Sequence, residues 1–176
     1  MRETRVSRLT ATLARRRVSL GFVAAIATLI LAEPTWRSWR AGLLVAIAGE
    51  GVRVWAAGHL EKSREVTRSG PYRWNAHPLY VGSSIVAAGV VIAARSVPVA
   101  ILAIVYIVAT LTAAIRTEEA FLRGRFGATY DRYRRSTANP MDRRFSATRA
   151  WRNHEYRAIA GLAGGFAVLA AKILYN

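Results

Sequence analysis

No cysteine occurs among the 176 residues, so disulfides, thiolate metal sites and a cysteine nucleophile are all excluded. Histidine is scarce: there are three, and His77 and His154 lack metal-ligand spacing, so no metal is expected. No Ser-His-Asp arrangement stands out. Without convincing strands, there is no strand-to-helix turn to carry a glycine-rich phosphate loop. Acidic residues are few, 10 against 26 Lys and Arg, and the formal net charge is +16. The first apolar run is followed by Glu33-Pro34-Thr35-Trp36 with no convincing small-x-small cleavage site, so it is expected to be an uncleaved span rather than a signal peptide. Internal repeats and low-complexity linkers are also missing.

What is present is segregated. Hydrophobic residues make up 53% of a strongly basic chain, and they fall into apolar blocks separated by basic ones. Such a charge fits nucleic acid or a membrane surface, and the apolar blocks decide for the membrane, with no nucleic-acid partner. The expected fold is all-α: one domain over residues 1–176, a polytopic integral membrane bundle with spans near 18–32, 41–60, 79–94, 97–115 and 158–174. Arg95-Ser96-Val97-Pro98 is a tight turn, which makes the third and fourth blocks an antiparallel hairpin. No Gly or Pro follows Pro98 before Gly124, so the fourth helix is expected to run on past the bilayer and stop near Gly124 or Gly127. In the fifth block, Gly161 and Gly165 have the small-xxx-small spacing of a packing face. The oligomeric state stays open.

Charge asymmetry orients this bundle. With a cytoplasmic N-terminus, the inner segments (1–17, 61–78 and 116–157) hold 21 of the 26 Lys and Arg. The outer segments hold only Arg37, Arg40, Arg95 and Lys172. The basic run 116–157 is then expected to contact anionic lipid headgroups. On the same cytoplasmic side, residues 61–82 and 116–135 meet. The first region carries Tyr72, Arg73, His77 and Tyr80, with Pro78 suited to a first helical position and His77 to its cap. The second carries Glu118 and Glu119. A ligand with both a carboxylate and an ammonium finds partners there, and aromatic rings suit a flat base or a sulfonium. Taken singly, His77 reads as a helix cap, Glu118-Glu119 as a solvated pair balanced by Arg116 and Arg123, and Tyr130 and Tyr133 as interface anchors. Glu50 and Arg53 share one helical face inside the second block, either as a structural ion pair or as the polar wall of a cavity.

Several short blocks occur in order: Arg53-Val-Trp55-Ala56, Gly70-Pro71-Tyr72-Arg73, His77-Pro78-Leu79-Tyr80-Val81-Gly82, Glu118-Glu119-Ala-Phe-Leu122 and Phe126-Gly127-x-x-Tyr130-x-x-Tyr133. Together they resemble the isoprenylcysteine carboxyl methyltransferase family, which is related to the membrane phospholipid N-methyltransferases. The resemblance implies an integral-membrane enzyme that uses S-adenosylmethionine in a cytoplasmic pocket and admits a lipophilic substrate from the bilayer. The acceptor would be a prenylcysteine-like carboxylate, a phospholipid amine or a small lipophilic compound. By matching position, Tyr72, His77, Tyr80, Gly82, Glu118, Glu119 and Leu122 would hold the cofactor, and Glu119 and Arg53 would have catalytic roles. Gly49-Glu50-Gly51 echoes a Gly-x-Gly tied to cofactor binding in the phospholipid enzymes. The family usually has Arg before the His-Pro pair; Ala76 stands here, with Arg73 as the candidate substitute. The fifth block lies outside the resemblance. Two other readings compete: an NADPH-dependent membrane reductase of sterol or enone type, some of which share a similar Gly-Pro-Tyr…His-Pro-x-Tyr block, and a non-catalytic membrane protein with a decayed site.

Overall fold

The computed structural model of the protein describes residues 19–175; the expectations for the N-terminal arginines and Val18 lie outside the described residues. All regular structure among the described residues is helical, as expected. The elements are α1 (Ser19–Leu31), α2 (Trp36–Ala57), α3 (Pro78–Ala94), α4 (Val97–Phe126), α5 (Ala128–Arg134), α6 (Ala147–Arg152) and α7 (Glu155–Tyr175), with a single 3-10 turn over Gly70–Arg73.

Helix α2 starts five residues before the expected 41. Thr35 caps it: the Ser38 N–H donates to Thr35 Oγ1 at 3.2 Å, and the Thr35 N–H donates to Ser38 Oγ at 3.0 Å. This reciprocal box normally uses Glu or Gln at its fourth position, so Ser38 hides it in the sequence. Helix α2 also ends at Ala57, short of the expected 60. Helix α4 does run on, for 30 residues and about 45 Å at the α-helical rise, well beyond a hydrocarbon core of about 30 Å. It stops at Gly127, whose φ of 47° and ψ of −125° suit glycine.

The tightest packing is between α2 and α3, which run antiparallel. Gly42 and Ala46 lie against Gly89 and Ala93 at one end, and Gly49 lies against Gly82 and Val86 towards the other. Missing side chains let the two backbones touch, the usual device between helices in a bilayer. A buried cluster continues from this seam through Ala32, Ala46, Ala93, Ala94, Val99, Phe166 and Leu169. Helix α7 joins it through Trp39, whose indole Nε1 donates to the Phe166 carbonyl at 2.8 Å. Lys172 near the end of α7 donates to the carbonyls of Leu29 and Ile30, closing the last turn of α1.

Helices α4 and α7 are long and apolar enough to cross a bilayer, whereas α1 and α3 are shorter apolar helices. Most of α4 is uncovered, with Ile101, Ile104, Val105 and Val108 about 60% exposed along one side. A core helix of a water-soluble protein would bury such a face; hydrocarbon accommodates it.

Residues 136–153 form a strap across the end of α2. Arg149 Nε donates to Glu61 Oε1 at 2.8 Å and its Nη1 donates to the Gly58 carbonyl at 2.5 Å. Arg143 donates to both Glu65 oxygens, and Asn153 Nδ2 donates to the Ala57 and Leu60 carbonyls. The hydrogen bond from Arg149 holds the Glu61 carboxyl below its ordinary value of 4.5. With the folded value below the unfolded one, this stabilisation is complete above the unfolded value and is lost as pH falls through the folded one. The melting temperature in neutral detergent should therefore drop as pH goes from about 5 to about 3. Glu61→Gln should flatten that drop, and an identical slope in the variant would remove Glu61 from the linkage.

Candidate functional site

Helix α3 opens at Pro78 with His77 at its cap, as the Pro-at-first-position rule predicts. The His77 ring nevertheless makes no cap hydrogen bond. The His77 backbone N–H donates to Asn75 Oδ1 at 2.6 Å, and the ring turns towards α4. There its Nε2 donates to Glu119 Oε1 at 3.2 Å, because an ionised carboxylate can only accept. Its Nδ1 lies 3.9 Å from Glu118 Oε2, is buried and has no hydrogen-bond partner. Tyr80 stacks on the same ring, with centroids 5.7 Å apart, and donates its hydroxyl to Glu118 Oε2 at 2.7 Å. The antiparallel α3–α4 hairpin therefore brings the start of one helix against the far end of the other. The overrun of α4 is what carries Glu118 and Glu119 to that level.

Gly127 then reverses the chain, and α5 folds back on the end of α4. Arg134 reaches Glu119 Oε1 at 3.2 Å, and Arg123 lies 3.6 Å from Glu119 Oε2 and 3.6 Å from Asp131. Tyr130 is fully buried beneath the Arg123 guanidinium, with its hydroxyl unpaired. The Tyr133 hydroxyl donates to the Tyr72 carbonyl at 2.8 Å, tying α5 to the 3-10 turn. Burial raises the Tyr72 and Tyr130 phenols above their ordinary value and pushes Tyr133 up to about 12. All three stay neutral near pH 7, so they position groups and do not act as bases.

The residues singled out in the sequence divide into two groups. His77, Tyr80, Glu118 and Glu119 form one cluster, with Tyr72 buried close by and Leu122 half-buried one turn along α4. Gly82 turns away from it: a Cβ there would meet Arg53 Cγ at 2.6 Å and the Gly49 carbonyl at 2.8 Å. Arg73 does not substitute for the missing arginine at position 76; it donates to the Met141 carbonyl at 3.0 Å. Two cations stand beside Glu119: Arg123, named from the sequence, and Arg134, which sequence reasoning missed. Its only signal was its position one turn after Tyr130.

Arg53 occupies a second centre. Its Nε lies 3.2 Å from Glu50 Oε2, the ion pair that the i, i+3 spacing implied. Its Nη1 donates to Ser83 Oγ at 2.5 Å, and its Nη2 pairs with Glu155 Oε1 at 2.5 Å. This centre sits in the wall of a cavity of about 380 Å³ between α1, α2, α3, α4 and α7. The rest of the wall is mostly apolar. Along α3, His77, Tyr80, Ser83, Ser84 and Ala87 follow one helical stripe, so the cluster and the cavity are neighbours on a single face. Gly49-Glu50-Gly51 is helical throughout: Gly49 makes the close contact with α3, a Cβ on Gly51 would meet nothing within 4 Å, and Glu50 borders the cavity. No group of three or more His, Asp or Glu able to hold a metal occurs among the described residues.

The family model for phospholipid methyltransferase matches residues 42–129, half of the chain, from early α2 to the start of α5. No curated protein and no solved structure matches the chain.

Proposed function

The chain belongs to the phospholipid methyltransferase family, and from that premise we propose that it transfers a methyl group from S-adenosylmethionine to a lipophilic acceptor at the cytoplasmic face of a membrane. The observation that carries this reading is the adjacency, on one stripe of α3, of the polar His77–Tyr80–Glu118–Glu119 cluster and the apolar cavity.

The donor set of the cluster fits the cofactor. Glu118 and Glu119 suit an ammonium or ribose hydroxyls, Arg134 and Arg123 suit a carboxylate, and the stacked His77 and Tyr80 rings suit a flat base or a sulfonium. His77 Nδ1 and the Tyr130 hydroxyl are buried polar atoms with hydrogen-bonding capacity unused. When bound, the cofactor supplies an electrophilic methyl group on a cationic sulfur. The residues of this chain orient the partners and exclude water, which is where most of the acceleration of a direct displacement arises. Glu119 and Arg53 are the residues we assign to the reacting end. The apolar walls of the cavity suit an acceptor drawn from the bilayer.

We read the bundle as five spans with the N-terminus and the cluster on the cytoplasmic side, on the strength of the Lys and Arg distribution. The basic residues of 116–157 then lie against anionic headgroups. Isothermal calorimetry on protein purified in neutral detergent tests the central claim. S-adenosylhomocysteine should bind and NADPH should not. Binding of NADPH alone would replace this reading with that of a reductase, and binding of neither would favour a non-catalytic protein.

A further inference from the structure

The cavity owes its shape to two helices outside the residues that match the family. Helix α1 lends it Gly21, Ala24, Ala25 and Thr28, one stripe of small side chains, and α7 lends it Ala158 and Leu162. The other side of α1 carries the bulk, with Phe22, Val23, Ile26 and Ile30 exposed. A Cβ on Gly21 would stand 2.9 Å from the Tyr106 hydroxyl, so α1 and α4 touch at that level. The two ends of the cavity are unlike. Arg53 and Ser83, bonded to each other, stand at the end nearer the cluster. Val90, Leu102 and Leu162 stand at the far end. Val90 and Leu162 also pack against the buried cluster that contains Ala46, Ala93 and Phe166, so the cavity stops against the core. From Ser83 to Val90 is two turns of α3, a depth of about 10 Å. An extended alkyl chain with C–C bonds of about 1.5 Å fills that depth with about eight carbons. A membrane lipid instead carries two tails, each reaching through half of a hydrocarbon core of about 30 Å.

We infer that this cavity is a blind pocket for one short apolar chain, with Val90, Leu102 and Leu162 setting the length limit. The acceptor is then a single-chain lipophile whose apolar part is about eight carbons long, and not a lipid with two leaflet-long tails. The inference rests on the methyltransferase reading for calling the occupant an acceptor; the length limit stands without it. Its physical basis is an asymmetry. Bilayer and pocket are both apolar, so a methylene that fits moves between them at little net cost. One that does not fit must push Val90 or Leu162 into a close-packed core, and overpacking is costly. Affinity should therefore be flat with chain length up to the limit and fall steeply beyond it.

The absence of cysteine gives the test a clean background. Ala87→Cys puts the single thiol of the chain in the cavity wall, and Ile104→Cys puts one on the exposed side of α4 as a control. The full chain in nanodiscs of dioleoyl phosphatidylcholine is labelled with N-ethylmaleimide in the presence of 1-alkanols, dosed by mole fraction in the lipid. Hexanol and octanol should slow labelling of the Ala87→Cys thiol at similar mole fractions, and hexadecanol should need at least about tenfold more. None should slow the Ile104→Cys thiol. Leu102→Ala, added to Ala87→Cys, cuts back the far wall from α4 and should let dodecanol protect as octanol does. If that variant does not fold, Leu162→Ala does the same from α7. Equal protection by octanol and hexadecanol with the far wall intact would mean that the tail leaves sideways into the bilayer, and would overturn the inference. So would a limit that neither Ala variant moves, or no protection by any alkanol. S-adenosylhomocysteine titrated into the same samples reports on the cofactor reading separately, since protection is measured without it.

Discussion

Glu119→Gln is expected to lower the affinity for S-adenosylhomocysteine by about 10- to 100-fold, from the 1.5–3 kcal/mol that a hydrogen bond to a charged group contributes. Glu119 is where the site's elements meet. Its side chain is 16% exposed and takes His77 from the start of α3, Arg123 from its own helix and Arg134 from α5. Glutamine keeps the shape but removes the charge and one of the two acceptor oxygens, so His77 and the two arginines lose their ionic partner while the helix stays intact. Circular dichroism and the melting curve should remain close to wild type, which separates a binding defect from an unfolded protein. Tyr80→Phe removes the hydrogen bond to Glu118 but leaves both carboxylates in place, and should have the smaller effect. Wild-type affinity in Glu119→Gln would move the cofactor site elsewhere.

Gly49→Ala and Gly51→Ala should part in opposite directions. A Cβ on Gly49 would stand 2.6 Å from the Val86 backbone nitrogen and 2.8 Å from the Gly82 carbonyl. Neither is the end of a flexible side chain, so α2 and α3 must separate, at a cost in the overpacking range of about 1–3 kcal/mol or more. Because Arg53 and Ser83 lie one turn further along that seam, the cavity wall should open with it. Gly51 is exposed with nothing near it, and alanine there should be neutral or stabilising by up to about 1 kcal/mol through helix propensity. Melting temperatures of the two variants in one detergent measure the contrast. Equal loss of S-adenosylhomocysteine binding in both, without loss of stability in either, would instead make Gly-x-Gly a cofactor-contacting motif.

Much of the architecture is legible without coordinates because it depends on local chemistry. Apolar runs and the Arg95-Ser96 turn define the α3–α4 hairpin. The absence of Gly and Pro after Pro98 lets α4 run on to Gly127. The i, i+3 spacing makes Glu50 and Arg53 partners. The start of α2 was harder to read, because Ser38 stands in its capping box where an acid or amide is usual. The site residues His77, Tyr80, Glu118 and Glu119 could be named from their order along the chain, but their pairing could not. Which carboxylate meets which ring depends on the register between α3 and α4, and no local pattern encodes it.

The sequence by itself therefore determined the helical class, the membrane character of α4 and α7, the overrun of α4 and the set of polar residues near its end. Tertiary structure alone decided four things. Arg134, not Arg73, stands beside Glu119, because Gly127 folds α5 back. Gly82 serves the α2–α3 seam and not the cluster, because two helices without side chains at their crossing pack backbone to backbone. Glu155 reaches across more than a hundred residues of chain to hold Arg53. The polar cluster and the apolar cavity share one stripe of α3. Each depends on contacts between residues far apart in the chain, whose cost in chain entropy is met only when the whole bundle closes.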